Sequence, residues 1–569
     1  MKLKKISVTA LSLLVSAIFF SQKSFSQTTF YHRYIIEFTD KDNNPYSTSN
    51  PSQYLSQRSI DRRNRYNIPV VKSDLPINPS YIQQVLATGV KLLNRSKWLN
   101  SISIQTDDSL ALVAISNLPF VKSAHPVALR NANPNVIQRD KFEHDAPLPG
   151  GFPEKTSSPN SFDYGPAFHQ IDMLNGEVLH DKGYRGQGMV MAILDGGFYN
   201  THPDSLDIFD SLFLEHRIAG KWNFVKGTDT VFSYATHGTE VLSSIAADKP
   251  GFEIGTAPKA CVYLYVTEDV SSEYPIEEHN WAAGAEAADS VGADIISSSL
   301  GYTEFTDSIF NHTYADMNGH TCMSSIAAVM AARKGMIVCS SAGNEGRHPW
   351  FYISAPGDAD SIITTGATDS TGTITQFSSH GPTSDGRIKP TVVAQGIHTW
   401  VIDPAPSHHT TYPGSGTSFS NPILAGLVAC LWQAHQDKNN MQIINAIIQS
   451  ASLYLTPNDS FGYGIPDFVL ADSILGGSSS FINNRKPLIF PNPFATTFDI
   501  LFFENSPEHV TVDAFDIIGR KVNSFPETFC CGLNNLPVEF LQHAANGVYF
   551  LRVKSDDHTD VLQVVKAQE

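Results

Sequence analysis

Cysteine is scarce in this chain: six among 569 residues, at Cys261, Cys322, Cys339, Cys430, Cys530 and Cys531. That density excludes a small fold stapled by disulfides. No CxxC or Cys/His run has zinc spacing, so the first four are expected as buried free thiols. Charge is sparse too, at 17% of residues, against about 25% in ordinary globular chains. The balance is acidic, -17, and no basic stripe appears beyond a short run near Arg58. A nucleic-acid binder is thereby disfavoured, and the acidity is read as serving solubility. Long apolar runs are missing after the first. "MKLKK" is followed by "ISVTALSLLVSAIFF", too short for the roughly 20 residues that span a bilayer, and then by "SQKSFSQ". Residues 1–26 read as a secretory signal peptide, so the mature chain is expected to be exported and not to span a membrane.

What is present divides into segments, since the length exceeds one ordinary domain. Residues 28–130 mix the strand "RYIIEF", a basic amphipathic helix over "PSQYLSQRSIDRRNRYN", a helix ending at Gly89, and the strand pair "KLLNRSKWLNSISIQT". A small α+β domain fits. Residues 131–162 are rich in Pro, Asn, Gly and Ser and read as an exposed, cuttable linker. From 163 to 475, apolar runs such as "GMVMAILDGG", "ACVYLYVT", "ADIISSSLG", "GMIVCSSAGN" and "SIITTGATD" alternate with helical patterns. That rhythm predicts an α/β domain with a doubly wound, mostly parallel sheet, whose function collects at the carboxyl ends of the strands. After a second linker, 476–485, residues 486–569 carry short alternating strands expected to form an all-β sandwich. No internal repeat is evident.

Three residues stand at strand ends or helix starts in the α/β segment. Asp195 closes "VMAILD", His237 opens "HGTEVLSSIAAD", and Ser418 opens the helix after "GSGTS". A serine hydroxyl attacks only when an imidazole takes its proton, and the imidazole needs a carboxylate on its other nitrogen. The helix start at Ser418 offers free N–H groups to an oxyanion, and Asn344 in "SAGNEG" could add a side-chain donor. Each residue has a plainer reading: Ser418 as a helix cap, His237 as a helix-start histidine, Asp195 as a turn former, Asn344 as a left-handed turn residue. Their joint occurrence on one sheet favours chemistry.

"AILDGGFYNTHPD", "HGTEVLSSIAA", "SAGNEG" and "GTSFSNP" together resemble the signature stretches of the subtilisin-like serine proteases, the subtilases, over about 163–475. The resemblance implies a serine endopeptidase in which Asp195 orients, His237 is the base, Ser418 attacks and Asn344 helps hold the oxyanion. It also implies that Ser299-Leu300-Gly301 and Ser341-Ala342-Gly343 pair with an extended peptide substrate; spacing assigns the pocket floor to Ser354. Three positions depart from the pattern. Gly196 replaces a hydroxyl residue after the triad aspartate, Asn421 replaces the alanine before the proline, and Leu242-Ser243 replaces Ala-Gly. No cofactor is required for the implied chemistry. Structural calcium belongs to the family, but no ligand can be assigned here.

The N-terminal region is similar to the inhibitory propeptides of secreted Bacteroidetes-type subtilases. The C-terminal "FPNPF", "FDIIGRKV" and "NGVYFLRV" resemble a type IX secretion sorting domain. The implied protein is a secreted or cell-surface zymogen whose partners are peptide substrates, its own propeptide and the secretion machinery, with no nucleic acid. Two rival readings remain. One is a surface-binding protein that keeps the fold without activity. The other is an esterase, disfavoured because the stretch reads G-x-S-x-S and the histidine precedes the serine.

Overall fold

The computed structural model describes residues 31–129, 162–201, 206–232, 235–405, 410–476 and, with short gaps, 488–567. The expected signal peptide, nearly all of both linkers, and Cys530 and Cys531 lie outside the described residues.

The N-terminal module has strands β1 (Tyr31–Phe38), β2 (Lys91–Ser96), β3 (Ser101–Gln105) and β4 (Val121–Leu129). They form an antiparallel sheet in the order β2-β3-β1-β4. Helices α1 (Gln57–Arg65), α2 (Pro79–Leu86) and α3 (Ser109–Ser116) complete it. Ile36, Ile102 and Ile104 of the sheet meet Val85 and Ile115 of the helices in one core. The helix read over residues 51–67 is shorter than its pattern suggests. Pro51 opens a separate 3-10 turn, Ser56 caps α1 by accepting the Ser59 N–H, and Asn67 turns left-handed at φ 55°. Its basic face is also not a solvated one, because Arg62 and Arg63 are buried.

The central domain is built on strands β5 (Val190–Asp195), β6 (Ile218–Asn223), β7 (Cys261–Val266), β8 (Ile295–Ser298), β9 (Ile337–Ser341), β10 (Ile363–Thr368) and β11 (Val392–Gln395). Every pairing among them is parallel, in the order β11-β10-β9-β8-β5-β7-β6. Helices α4 (His237–Ala246), α5 (Ile276–Val291), α6 (Met323–Arg333) and α7 (Thr417–Ala434) pack on it, with a separate apolar core on each face. A hairpin of β12 (Thr399–Ile402) and β13 (Thr411–Gly414) leads into α7. From β5 the chain builds outward through β7 and β6, and from β8 it builds the other way. The order therefore reverses between β5 and β8, which opens a crevice at their carboxyl ends.

The C-terminal region holds β14 (Leu488–Phe490), β15 (Phe498–Glu504), β16 (Glu508–Asp516), β17 (Lys521–Phe529), β18 (Gly532–Val538), β19 (Gly547–Lys554) and β20 (Thr559–Lys566). Sheets β14-β15-β18 and β17-β16-β19-β20 face one another across Phe498, Ile500, Val512, Leu536, Leu551 and Val564. Strands β17 and β18 lack a clean signal because each contains a proline, Pro526 and Pro537, a residue that cannot donate to a ladder.

The N-terminal module docks on α5 through buried charge. Asp289 receives Arg62 at 2.6 Å, Arg63 at 2.9 Å and Lys97 at 3.3 Å. Glu286 accepts from Ser96 Oγ at 2.6 Å and from the Lys97 and Trp98 N–H groups at 2.7 and 2.9 Å. Burial alone would raise the Asp289 carboxyl, but Lys97, Arg63 and Arg62 hold it well below the usual carboxylate range. Among the described residues, no helix is long and apolar enough to cross a membrane. Cys261, Cys322, Cys339 and Cys430 are free thiols, the last three buried and Cys261 partly so.

Candidate active site

The crevice at the reversal point collects the residues singled out in the sequence. Asp195 is the last residue of β5 and His237 the first of α4. Their side chains are 0% and 2% exposed. The His237 Nδ1 lies 2.9 Å from Asp195 Oδ1 and 3.0 Å from Oδ2, a contact that fixes the ring's orientation and its tautomer. Asp195 Oδ1 also accepts the Gly196 N–H at 2.7 Å. Gly238 makes the approach feasible: a Cβ there would sit 2.3 Å from Gly197 O and 3.1 Å from the Asp195 side chain.

Ser418 is the second residue of α7, and Gly416 takes the cap position without a side-chain bond. The cap reading of Ser418 therefore fails. Gly416 adopts φ 150°, a value that disfavours a side chain. The Ser418 Oγ makes one long contact, 3.5 Å to Ser299 O, while Ser299 Oγ donates to Ser418 O at 2.8 Å. The neighbouring Phe419 ring lies 6.1 Å from the His237 ring, which puts the imidazole beside the first turn of α7.

Asn344 follows β9 and is not left-handed; the positive φ of that turn belongs to Gly343, at 101°. The Asn344 Oδ1 accepts both the N–H and the hydroxyl of Thr417 at 2.9 Å. With its oxygen so held, its Nδ2 lies 3.5 Å from where a Cβ on Gly416 would stand, on the Ser418 side. Thr417 was not singled out in the sequence, yet it orients this amide; its place in "GTS" was the available signal.

Ser299-Leu300-Gly301 follows the end of β8, and Ser341-Ala342-Gly343 starts on the last residue of β9 and runs past it. Ser354 lies between them. A Cβ on Gly301 would meet its Cβ at 2.9 Å and one on Gly343 would meet its Oγ at 2.5 Å. Ser354 N–H bonds Ala342 O at 3.2 Å, and Tyr302 pairs with Ala355. The floor assigned by spacing is thus against both edges.

Three further side chains support the crevice. Asn421, one turn beyond Ser418, is buried and its Nδ2 reaches Ser298 O at 3.1 Å and Cys339 O at 3.4 Å. Ser243 Oγ donates to Glu240 O at 2.8 Å and accepts the Ile402 N–H at 3.1 Å, joining α4 to the hairpin. Glu240, 2% exposed, stands one turn beyond His237 and accepts a bond from the Tyr412 hydroxyl. Burial pushes its carboxyl up to about 7; the Asp195 charge adds to the rise, while His237 and Tyr412 oppose it. Among the described residues, Glu278, His312 and Cys322 also converge, but Glu278 already holds His312 at 2.7 Å and the Ser324 N–H at 3.1 Å.

Known families match three parts of the chain. A family model described as Subtilase family matches residues 186–464. One described as Peptidase S8 propeptide domain, Bacteroidota, matches 33–143, and a secretion system C-terminal sorting domain matches 488–567. Subtilisin E of Bacillus subtilis (strain 168) is 28% identical over 304 residues, 52% of this chain and 68% of that protein. Subtilisin of Bacillus pumilus is 27% identical over 305 residues, 52% of this chain and 94% of that protein. A crystal structure of MycP1 with the N-terminal propeptide removed aligns at 21% identity and a TM-score of 0.42, over 53% of this chain and 96% of that one. The chain thus carries a subtilase-family domain at residues 186–464, a matching propeptide domain and a sorting domain, and is a serine-type endopeptidase.

Proposed function

We propose that the protein is an exported endopeptidase made as a zymogen, and that it cleaves peptide bonds through an acyl-enzyme on Ser418. A peptide pairs as an added strand between residues 299–301 and 341–343, with a side chain over Ser354. His237 takes the Ser418 proton as the hydroxyl attacks the carbonyl carbon, then gives it to the leaving amine. Asp195 keeps the imidazole in the productive tautomer and stabilises the imidazolium. The tetrahedral oxyanion takes the Asn344 Nδ2 and the N–H at the start of α7. Water, deprotonated by His237, then releases the acyl group. Besides the substrate and the hydrolytic water, these steps use only side chains and main chain of this protein.

The observation that carries the reading is the buried Asp195–His237 contact beside the first turn of α7. The N-terminal module, docked on α5, acts as the inhibitor until the segment after it is cut. The sorting domain directs export to the cell surface or beyond.

The test is Ser418→Ala. The purified variant is expected to fold, to remain uncut after the N-terminal module, and to take no fluorophosphonate label. The wild type is expected to label on Ser418 and to lose labelling on His237→Ala. Self-processing of the purified alanine variant would sink the scheme.

A further inference from the structure

Glu240 shares a helix face with His237, since residues three apart are neighbours on a helix. The same carboxylate accepts from Tyr412 in β13, the strand that runs into the Ser418 loop. It is therefore tied to the element that carries the base and to the one that leads to the nucleophile. Buried charge so near an imidazole is felt strongly, because little water screens it.

We propose that Glu240 is a positioning residue of the reaction, which locks α4 to β13 and supplies a second negative charge to the imidazolium that forms on His237. The inference rests on the triad reading above. When Ser418 attacks, His237 gains a proton and becomes positive. Asp195 stabilises that charge through its direct bond; Glu240, in its ionised form, stabilises it through space. The same charge makes the resting imidazole easier to protonate, which takes the base out of action. With its carboxyl at about 7, Glu240 is half ionised at neutral pH, so its charge acts most above pH 7 and fades as pH falls.

The groups facing Glu240 come from four places. His237 lies on its own helix, Asp195 at the end of β5, and Tyr412 on β13, with Asp403 beyond β12 acting on the Tyr412 hydroxyl. From the strand Glu253–Ile254, Glu253 approaches Ser243, one turn further along α4, and burial raises its carboxyl to about 8. Burial thus favours the protonated form of Glu253 more strongly than that of Glu240, which makes Glu253 the weaker competing charge. Asp207, near the far end of α4, is paired with Lys249 at 2.6 Å. Asp195 and Glu240 are the two carboxylates that act on the imidazole.

The experiment is the pH profile of kcat/KM for processed wild type, Glu240→Gln and Tyr412→Phe, on one peptide. Removing the charge is expected to move the acid limb of Glu240→Gln to lower pH by roughly 0.5–1.5 units and to lower the plateau about 3- to 30-fold. Tyr412→Phe, which leaves Glu240 easier to protonate, is expected to move the limb the same way by less. A Glu240→Gln limb that coincides with wild type in a folded, labelled enzyme overturns the proposal. If that variant does not fold, an unmoved limb in Tyr412→Phe overturns it. A wild type that takes no label on Ser418 would instead sink the triad reading, so the two failures are distinct.

Discussion

Asp195 and Asp289 are both fully buried aspartates of the central domain. Asp195 has one main-chain N–H and one imidazole. Asp289 has two guanidinium groups and an ammonium, all from the N-terminal module. The first partner set leaves a proton free to come and go, because an imidazole changes charge near neutral pH. The second is made of permanent cations, so its charge is fixed and only geometry can change. One arrangement is suited to turnover and the other to holding a module in place. The comparison teaches that burial alone does not mark a catalytic carboxylate; the titratability of its partner does.

That contrast can be broken from either side. Asp195→Asn keeps the shape but invites the wrong imidazole tautomer. It is expected to lower kcat by about 10^4-fold, as such a change does in another Ser-His-Asp peptidase, while leaving thermal unfolding of the precursor within a degree or two. Steady-state kinetics and calorimetry check the two halves. Asp289→Asn, made in the uncut Ser418→Ala precursor, takes their shared anion from Arg62, Arg63 and Lys97, leaving Arg63 with Asp74 at 3.0 Å. Docking is expected to weaken by about 3–5 kcal/mol, seen as faster hydrogen exchange over residues 57–65. Since the Asp289 carboxyl is depressed, the wild-type contact should be fully present above the ordinary carboxylate range. It should be lost only as pH falls through that low folded value. Arg58→Ala gives the smallest effect. Arg58 pairs with Asp294 at the rim, its side chain 43% exposed. Solvent screening limits the loss to about 1 kcal/mol or less, a few-fold change in the same exchange rates.

The two aspartates were unequally legible in the sequence. Asp195 closes an apolar strand and is followed by paired glycines, a local pattern that announces a strand end at a crevice. Asp289 sits in "AEAADSVG", where nothing local distinguishes it from a solvated helix residue. Its partners Arg62 and Arg63 lie more than two hundred residues earlier, in a run that reads as a basic surface. Only the docking of α1 on α5 turns both into interior residues, and no periodicity carries that information. Five of the seven parallel strands, β5 and β7 to β10, were legible because their runs are largely apolar and buried, whereas β6 is half-exposed and carries Lys221, and β11 is only four residues long. Glu240 was quoted in its motif and given no role, because a carboxylate one turn past a histidine is ordinary on a helix. Its burial and its bond to Tyr412 depend on the β12–β13 hairpin, which arrives from far along the chain.

The asparagine one turn past the serine has a mechanical consequence. Asn421 rivets α7 to Ser298 at the end of β8 and to Cys339 inside the neighbouring β9, strands whose continuations are the proposed jaws for a peptide. Anvil and jaws thereby become a single casting, and the cleft cannot widen without tearing a core amide from its carbonyls. A compact, folded target would find no give on the enzyme's side. Such an enzyme should cut where its prey has already frayed.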